Sequence, residues 1–79
     1  MASRNFLQKD KLEDFKRFCD ERNIPYRPGK GQWQVLQVLT EDFEWKVIYK
    51  RLEMPEHYSL DERLVPTVLK FLAWNKNKS

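Results

Sequence analysis

Near the start of the chain, apolar residues recur at helical spacing. These residues fall three or four positions apart: Leu12, Phe15, Phe18 and Cys19. The pattern predicts an amphipathic helix over residues 11–22 with one buried face. Asp10 is placed to cap its start, with Glu13 three residues later as in a capping box. A loop over residues 23–32 follows, because Pro25 does not continue a helix.

An antiparallel hairpin is predicted within residues 31–51, where the pattern shortens to the period of strands. The segment WQVLQVL is followed by an acidic pair and then by FEWKVIYK, in which apolar and charged residues alternate. If Glu41 and Asp42 form a two-residue turn, Val38 lies opposite Trp45 on the buried face. The solvent side then carries Trp33, Val35, Gln37, Leu39, Glu44, Lys46, Ile48 and Lys50. A longer turn would reverse this facing.

A second amphipathic helix is predicted near the end of the chain. Its inward stripe consists of apolar residues at helical spacing: Leu60, Leu64, Val68, Phe71 and Leu72. Ser59 and Glu62 resemble a capping box, and Pro66 either kinks the helix or marks a short turn before it. We expect an ordered core over residues 6–74 and a frayed basic tail over residues 75–79.

These elements predict one small α+β domain spanning residues 1–79, in the order α-β-β-α. A chain of 79 residues has room for a single core. Because an isolated two-stranded ribbon is marginally stable, both helices are expected to cover the same face of the antiparallel hairpin. Residues 25–30 and 52–54 each have room for a third short strand.

The charge and cysteine content narrow the class of protein. The net charge is +3, and acidic residues are concentrated in residues 10–21 and 41–62. The basic segments between and after them form an electrostatic footprint. A single cysteine excludes an internal disulfide framework and fits a reducing compartment, so we expect a cytoplasmic protein. No apolar stretch has the length of a membrane span or of a signal segment.

The sequence lacks the residue patterns of enzymes and metal sites. His57 and Cys19 are the single residues of their kinds, and a structural zinc site uses four ligands. Neither a nucleophile elbow nor a His-Glu-x-x-His motif is present. We therefore expect a non-catalytic protein with no metal and no small-molecule cofactor.

The solvent side of the hairpin and the loop beside it form the main candidate binding surface. Its aromatic and cationic residues can stack on bases and neutralise phosphates: Arg27, Lys30, Trp33, Lys46 and Lys50. A secondary surface on the last helix contains Arg63, Lys70 and Trp74, although Trp74 is favoured as part of the core. The leading interpretation is a nucleic-acid-binding module. The alternative is a protein-interaction module, either an inhibitor or accessory protein or a homodimer formed through the ribbon.

Overall fold

The computed structural model describes residues 6–78 as two layers, a sheet and a pair of helices. The elements are β1 (Phe6–Gln8), α1 (Leu12–Glu21), β2 (Tyr26–Pro28), β3 (Gln34–Leu39), β4 (Trp45–Lys50), β5 (His57–Leu60) and α2 (Val65–Lys78). A short 3₁₀ helix precedes each α-helix, at Lys9–Lys11 and Glu62–Leu64. The α+β class is confirmed, whereas the predicted order α-β-β-α is only part of the observed order β-α-β-β-β-β-α.

The five strands form one antiparallel sheet in the order β1-β5-β4-β3-β2. Strands β2 to β5 follow one another as a meander, and β1 closes the far edge beside β5. Strand β2 lies within residues 25–30, where a third strand had room to form, whereas residues 52–54 belong to a loop. The edge strands have three residues each, which is too short for their alternation to stand out in the sequence.

The turn between β3 and β4 is longer than the two residues expected from the acidic pair. The Phe43 N–H donates to the Thr40 carbonyl at 2.9 Å, and the Thr40 N–H donates to the Glu44 carbonyl at 2.9 Å. Phe43 has a φ of 61°, in the left-handed region. This is the three-residue hairpin loop in which a type I turn is followed by a left-handed residue. Leu39 therefore pairs with Trp45, and the predicted register is wrong by one residue.

One residue of slip reverses the facing of the whole of β4, since side chains alternate with a period of two. Ile48 is fully buried in the core, and Lys46 pairs with the fully buried Val38 on the helix side of the sheet. Lys50 pairs with the buried Tyr58 on that same side. The prediction that Lys46, Ile48 and Lys50 lie on the solvent side is wrong.

Helix α1 agrees with the predicted helix to within one residue at each end. Phe15, Phe18 and Cys19 are fully buried, as the apolar spacing predicts. The residue at its N-terminal boundary, Lys11, makes no side-chain capping bond, so the predicted cap by Asp10 is not formed.

The 3₁₀ helix that leads into α2 is capped by Asp61 and not by the predicted serine. The Asp61 carboxylate accepts a hydrogen bond from the Arg63 N–H at 3.0 Å, while Ser59 belongs to β5. Pro66 is the second residue of α2, so it marks the beginning of the helix. The helix continues to Lys78 through the segment predicted to fray, and the last residue of the chain lies outside the described range.

The hydrophobic core lies between the sheet and both helices. Its members are Leu7, Phe15, Phe18, Cys19, Leu36, Val38, Ile48, Tyr58, Leu64, Val68 and Phe71. The rings of Phe15 and Phe71 meet edge to face with centroids 5.3 Å apart, which ties α1 to α2. Since all core residues of the strands point to one side, both helices cover that side. The described residues measure 30 × 30 × 19 Å, and none of their helices is long and apolar enough to cross a membrane.

Candidate functional site

The side of the sheet that faces away from both helices is formed by alternate residues of the five strands. Pairing across the strands puts Phe6, Ser59 and Tyr49 in one row. We define the open face by the residues at such positions: Phe6, Gln8, Arg27, Gln34, Gln37, Leu39, Trp45, Val47, Tyr49, His57 and Ser59. None of these residues, all within the described part of the chain, belongs to the hydrophobic core.

Three aromatic rings are spread over the open face. Trp45 and Tyr49 are 37% and 40% exposed, and the smaller Val47 lies between them on β4. Four residues of strand separate the two rings by about 13 Å. Phe6 lies in the same row as Tyr49 but two strands away, at about 10 Å, with Ser59 between them. The rings therefore form separate platforms with small side chains between them.

A guanidinium group accompanies the first of these rings. The Cζ atom of Arg27 lies 4.0 Å from the centroid of the Trp45 ring, within cation–π range. The Nε–H of Arg27 donates to Oε1 of Gln37 at 2.6 Å. Among residues 6–78, no carboxylate forms an ion pair with Arg27. This cation keeps its charge available to a ligand.

A second guanidinium lies over the third ring. The Cζ atom of Arg51 is 3.8 Å from the centroid of Phe6, and the edge of the His57 ring faces Phe6 at a centroid distance of 6.4 Å. Nη2 of Arg51 also pairs with the Glu53 carboxylate at 3.0 Å. The charge of Arg51 is thus partly neutralised, in contrast to that of Arg27.

A chain of amide hydrogen bonds links the open face to the loop between β2 and β3. Nε2 of Gln37 donates to Oε1 of Gln34 at 3.0 Å, and the same oxygen accepts the backbone N–H of Lys30 at 3.0 Å. Gln37 is only 5% exposed although no helix covers its side of the sheet. Loop and sheet are therefore joined by polar contacts next to Arg27.

The structure places the predicted binding residues in three different surroundings. Arg27 lies on the open face, and Lys30 lies in the neighbouring loop. Trp33 is half exposed just before β3, and its carbonyl accepts the Lys50 N–H at 2.9 Å. Lys46 lies on the helix side, as does Lys50. Arg27 and Lys30 are therefore brought together, whereas the two strand lysines are not part of that surface.

Lys46 is engaged by a neighbouring carboxylate. Its Nζ lies 2.9 Å from Oε2 of Glu44. The hydrogen bond to Glu44 is the main cause that raises the pKa of Lys46, and the same bond lowers the pKa of Glu44. Both groups lie at the surface, so this pair adds little to stability.

Four residues that lie at the rings of the open face or beside Arg27 were not among the predicted binding residues: Phe6, Gln37, Trp45 and Tyr49. The alternation of Trp45 and Tyr49 on one face of β4 is visible in the sequence, but the assumed turn places both rings in the core. Phe6 carries no signal of this kind, because β1 has only three residues and pairs with a strand far along the chain.

The secondary surface, which lies on α2 and on the 3₁₀ helix before it, is neutralised by the turn between β3 and β4. Arg63 pairs with Asp42 at 2.6 Å, and Lys70 pairs with Glu41 at 3.7 Å. Trp74 packs against the core, with its ring centroid 5.6 Å from that of Phe18. The two cations and the ring have intramolecular partners.

Groups with catalytic potential are few in the described residues. Burial, followed by the charge of Asp20, raises the pKa of Cys19 from 9.0 to about 12, so its thiol stays protonated. Within residues 6–78, no three His, Cys, Asp or Glu side chains lie close enough together to hold a metal ion. A groove of about 690 Å³ runs beside the β1–β5 end of the open face and is lined in part by His57 and Gln8.

Comparison with protein-family models, with curated proteins and with solved structures finds no match for this chain. Its function is therefore argued from the geometry and chemistry of the open face.

Proposed function

We propose that the protein binds single-stranded nucleic acid on the open face. One observation carries this proposal: aromatic rings with guanidinium groups over them lie on a sheet face that no helix covers. Bases stack on such rings and on guanidinium planes, and guanidinium groups contact phosphates. In this account Trp45, Tyr49 and Phe6 are the stacking platforms, and Arg27 supplies the main positive charge.

The charge of the open face favours an anionic ligand. Its strand residues include the cation Arg27 and no carboxylate, and Arg51 lies over Phe6 at one end. Asp61 borders the face at the end of β5, but its carboxylate caps the helix that follows. Because the positive charges are few, we expect stacking to supply much of the affinity and the salt dependence to be moderate.

The spacing of the rings favours a single strand over a duplex. The rings of Trp45 and Tyr49 stand on one strand with Val47 between them, and both are partly exposed, so an unstacked base can contact the Tyr49 ring or the Trp45–Arg27 pair. The bases of a duplex are stacked on each other and do not offer their planes to a flat sheet. In this proposal the sheet binds its ligand and catalyses no reaction. The cytoplasmic location stays a prediction.

The protein-interaction alternative loses part of its basis. Its apolar anchors were Val35, Leu39 and Ile48 on the solvent side of the ribbon. Ile48 is fully buried, and Val35 packs against the core, whereas Leu39 pairs with Trp45 and stays on the open face. A partner protein and a homodimer both stay predictions, and light scattering of the purified protein tests the homodimer.

The proposal is tested by fluorescence anisotropy with labelled oligothymidylate and oligouridylate and with a duplex of the same length. The wild type is expected to bind the single strands and to leave the duplex unbound at the same concentration. Trp45→Ala and Tyr49→Ala should each weaken binding by about tenfold, the range of one lost stacking contact.

Lys50→Ala serves as the matched control, because it removes one charge from the helix side of the sheet. Its affinity should stay close to that of the wild type. Equal affinities of the wild type, Trp45→Ala and Tyr49→Ala for single strands would contradict the proposal, as would the absence of any binding by the wild type.

A further inference from the structure

Gln37 is an unusual residue for an uncovered sheet face, because its polar side chain is only 5% exposed. Both ends of its amide are used. Oε1 accepts the Nε–H of Arg27 at 2.6 Å, and Nε2 donates to Oε1 of Gln34 at 3.0 Å. A buried amide with both ends bonded holds its neighbours in fixed positions.

The direction of this chain of hydrogen bonds is set by the backbone. The N–H of Lys30 is a donor only, so the end of Gln34 that it meets at 3.0 Å must be the oxygen. That oxygen also receives a bond from Gln37, which must therefore turn its NH₂ group toward Gln34. The oxygen of Gln37 is left to face Arg27. A backbone group in the loop thus determines which atom meets the arginine.

These hydrogen bonds restrict the position of the Arg27 guanidinium. Its Nε–H is used by Gln37, and its Cζ atom lies 4.0 Å from the centroid of the Trp45 ring. Two contacts in different directions remove most of the freedom of this long side chain before a ligand arrives. No carboxylate of residues 6–78 pairs with Arg27, so its two Nη groups keep N–H donors for a ligand.

We propose that Gln37 is a positioning residue that presents the Nη groups of Arg27 as a fork for one phosphodiester group of a bound single strand. The inference rests on the proposed function and deepens it. Two parallel N–H donors match two phosphate oxygens, a geometry that lysine does not offer. Holding the fork in place before binding reduces the entropy lost on binding.

The test uses two variants and their combination in the full-length chain. Arg27→Lys keeps the charge but removes the fork and the Nε–H donor. Gln37→Met keeps the length of the side chain but removes the acceptor. Each is expected to lower the affinity for oligouridylate about three- to tenfold, the effect of one side chain that must be immobilised on binding.

The double variant distinguishes positioning from general stability. With lysine at position 27 there is no fork to orient, so adding Gln37→Met should cause no further loss of affinity. If Gln37 only supports the sheet, Gln37→Met lowers affinity by the same factor in both backgrounds. That result would overturn the inference.

A second measurement on the wild type keeps the test decisive if Gln37→Met does not fold. In ¹⁵N NMR spectra the Nε–H of Arg27, assigned by its loss in Arg27→Lys, should exchange slowly with water and shift when oligouridylate binds. Arg17, which is 73% exposed on α1, is the control and should do neither. Equally fast exchange at both arginines would overturn the inference.

The outcomes also separate this inference from the proposed function. If the wild type binds no single strand, the proposed function fails and the inference fails with it. If the wild type binds and both Arg27→Lys and Gln37→Met bind equally well, only the role of Gln37 and of the fork is overturned.

Discussion

The open face and the secondary surface on α2 contain the same kinds of residues in opposite electrostatic settings. On the open face, Arg27 lies over Trp45 and pairs with no carboxylate of residues 6–78. On the secondary surface, Arg63 and Lys70 pair with the two acids of the β3–β4 turn. There Trp74 packs against the core instead of facing solvent.

In the proposed account, this difference separates the open face from a surface of similar composition whose cations and ring already have intramolecular partners. The acidic turn lies at one end of the sheet, so its carboxylates reach Arg63 in the 3₁₀ helix and Lys70 in α2. An arginine beside a carboxylate has part of its charge neutralised and some of its N–H donors occupied, so it attracts a phosphate less strongly than an arginine without such a partner. A tryptophan that completes a core has no free plane for a base.

The largest difference in stability is expected between variants of Trp74 and of Trp45. Trp74→Ala should lower the free energy of unfolding by about 3 kcal/mol, since it leaves a cavity beside Phe18 and Phe71. Trp45→Ala should change that free energy by about 1 kcal/mol or less, because its ring is partly exposed. Urea denaturation of both variants measures these values. A larger loss of stability in Trp45→Ala than in Trp74→Ala would reverse the assignment of the two rings.

The next prediction compares the salt dependence of binding in variants of Arg27, which has no carboxylate partner within residues 6–78, and of Arg63, which has one. Arg27→Ala should reduce the salt slope of single-strand binding by about 0.7, the value for one phosphate contact. Arg63→Ala removes the same formal charge but should leave the slope unchanged, because Arg63 is paired with Asp42. Affinities measured by anisotropy over a range of salt concentrations give both slopes. Equal changes for the two variants would show that only net charge matters.

The hydrophobic core between the sheet and the helices should make the free energy of unfolding depend on alkaline pH. The pKa of Cys19 is raised from 9.0 to about 12, so the folded state holds its proton more tightly than the unfolded state. Its contribution to stability is present below pH 9.0 and is lost as the pH rises toward about 12.

The pKa of Tyr26 is also raised, first by desolvation and then by Asp20. Its phenol therefore also contributes stability that is lost as the pH rises. Cys19→Ala should therefore flatten part of the decline in unfolding free energy between those pH values. Urea midpoints of the wild type and of Cys19→Ala, measured over this pH range, test this prediction. An equally steep decline in Cys19→Ala would mean that the thiol ionises freely in the folded state.

The smallest effect is expected from the strand lysines Lys46 and Lys50, although the hairpin pattern predicted them as binding residues. Lys46→Glu with Lys50→Glu changes charge on the helix side, away from the open face. Screening should limit the change in affinity to about twofold at physiological salt. Anisotropy with oligouridylate measures it. Complete loss of binding in a folded double variant would place the ligand on the helix side.

Much of the fold could be predicted from the sequence, and the failures have local causes. Helix α1 and the two central strands follow from the spacing of apolar residues. The turn was misjudged because Phe43 occupies a left-handed conformation that a bulky side chain rarely adopts, with no glycine to signal it. Strands β1 and β5 are short and join distant parts of the chain, so no local pattern announces their pairing.

The predicted pairing of cations with aromatic rings recurs on the open face, but with partly different residues, and its role in binding stays a prediction. The expectation of cations beside aromatic rings led to Arg27 and to the loop containing Lys30. The one-residue error in register then exchanged Trp45 and Tyr49 for Lys46 and Lys50. Because alternation has a period of two, a single extra residue in a turn is enough to replace every β4 residue of the predicted surface.

The central claim is tested most directly by mapping NMR shifts while oligouridylate is added to the ¹⁵N-labelled wild type. The account predicts saturable shifts at the Trp45 indole and at the amides of Gln37, Tyr49 and Ser59, with the Trp74 indole unmoved. Shifts confined to α2, or no shifts at concentrations where the oligonucleotide is in excess, would contradict it.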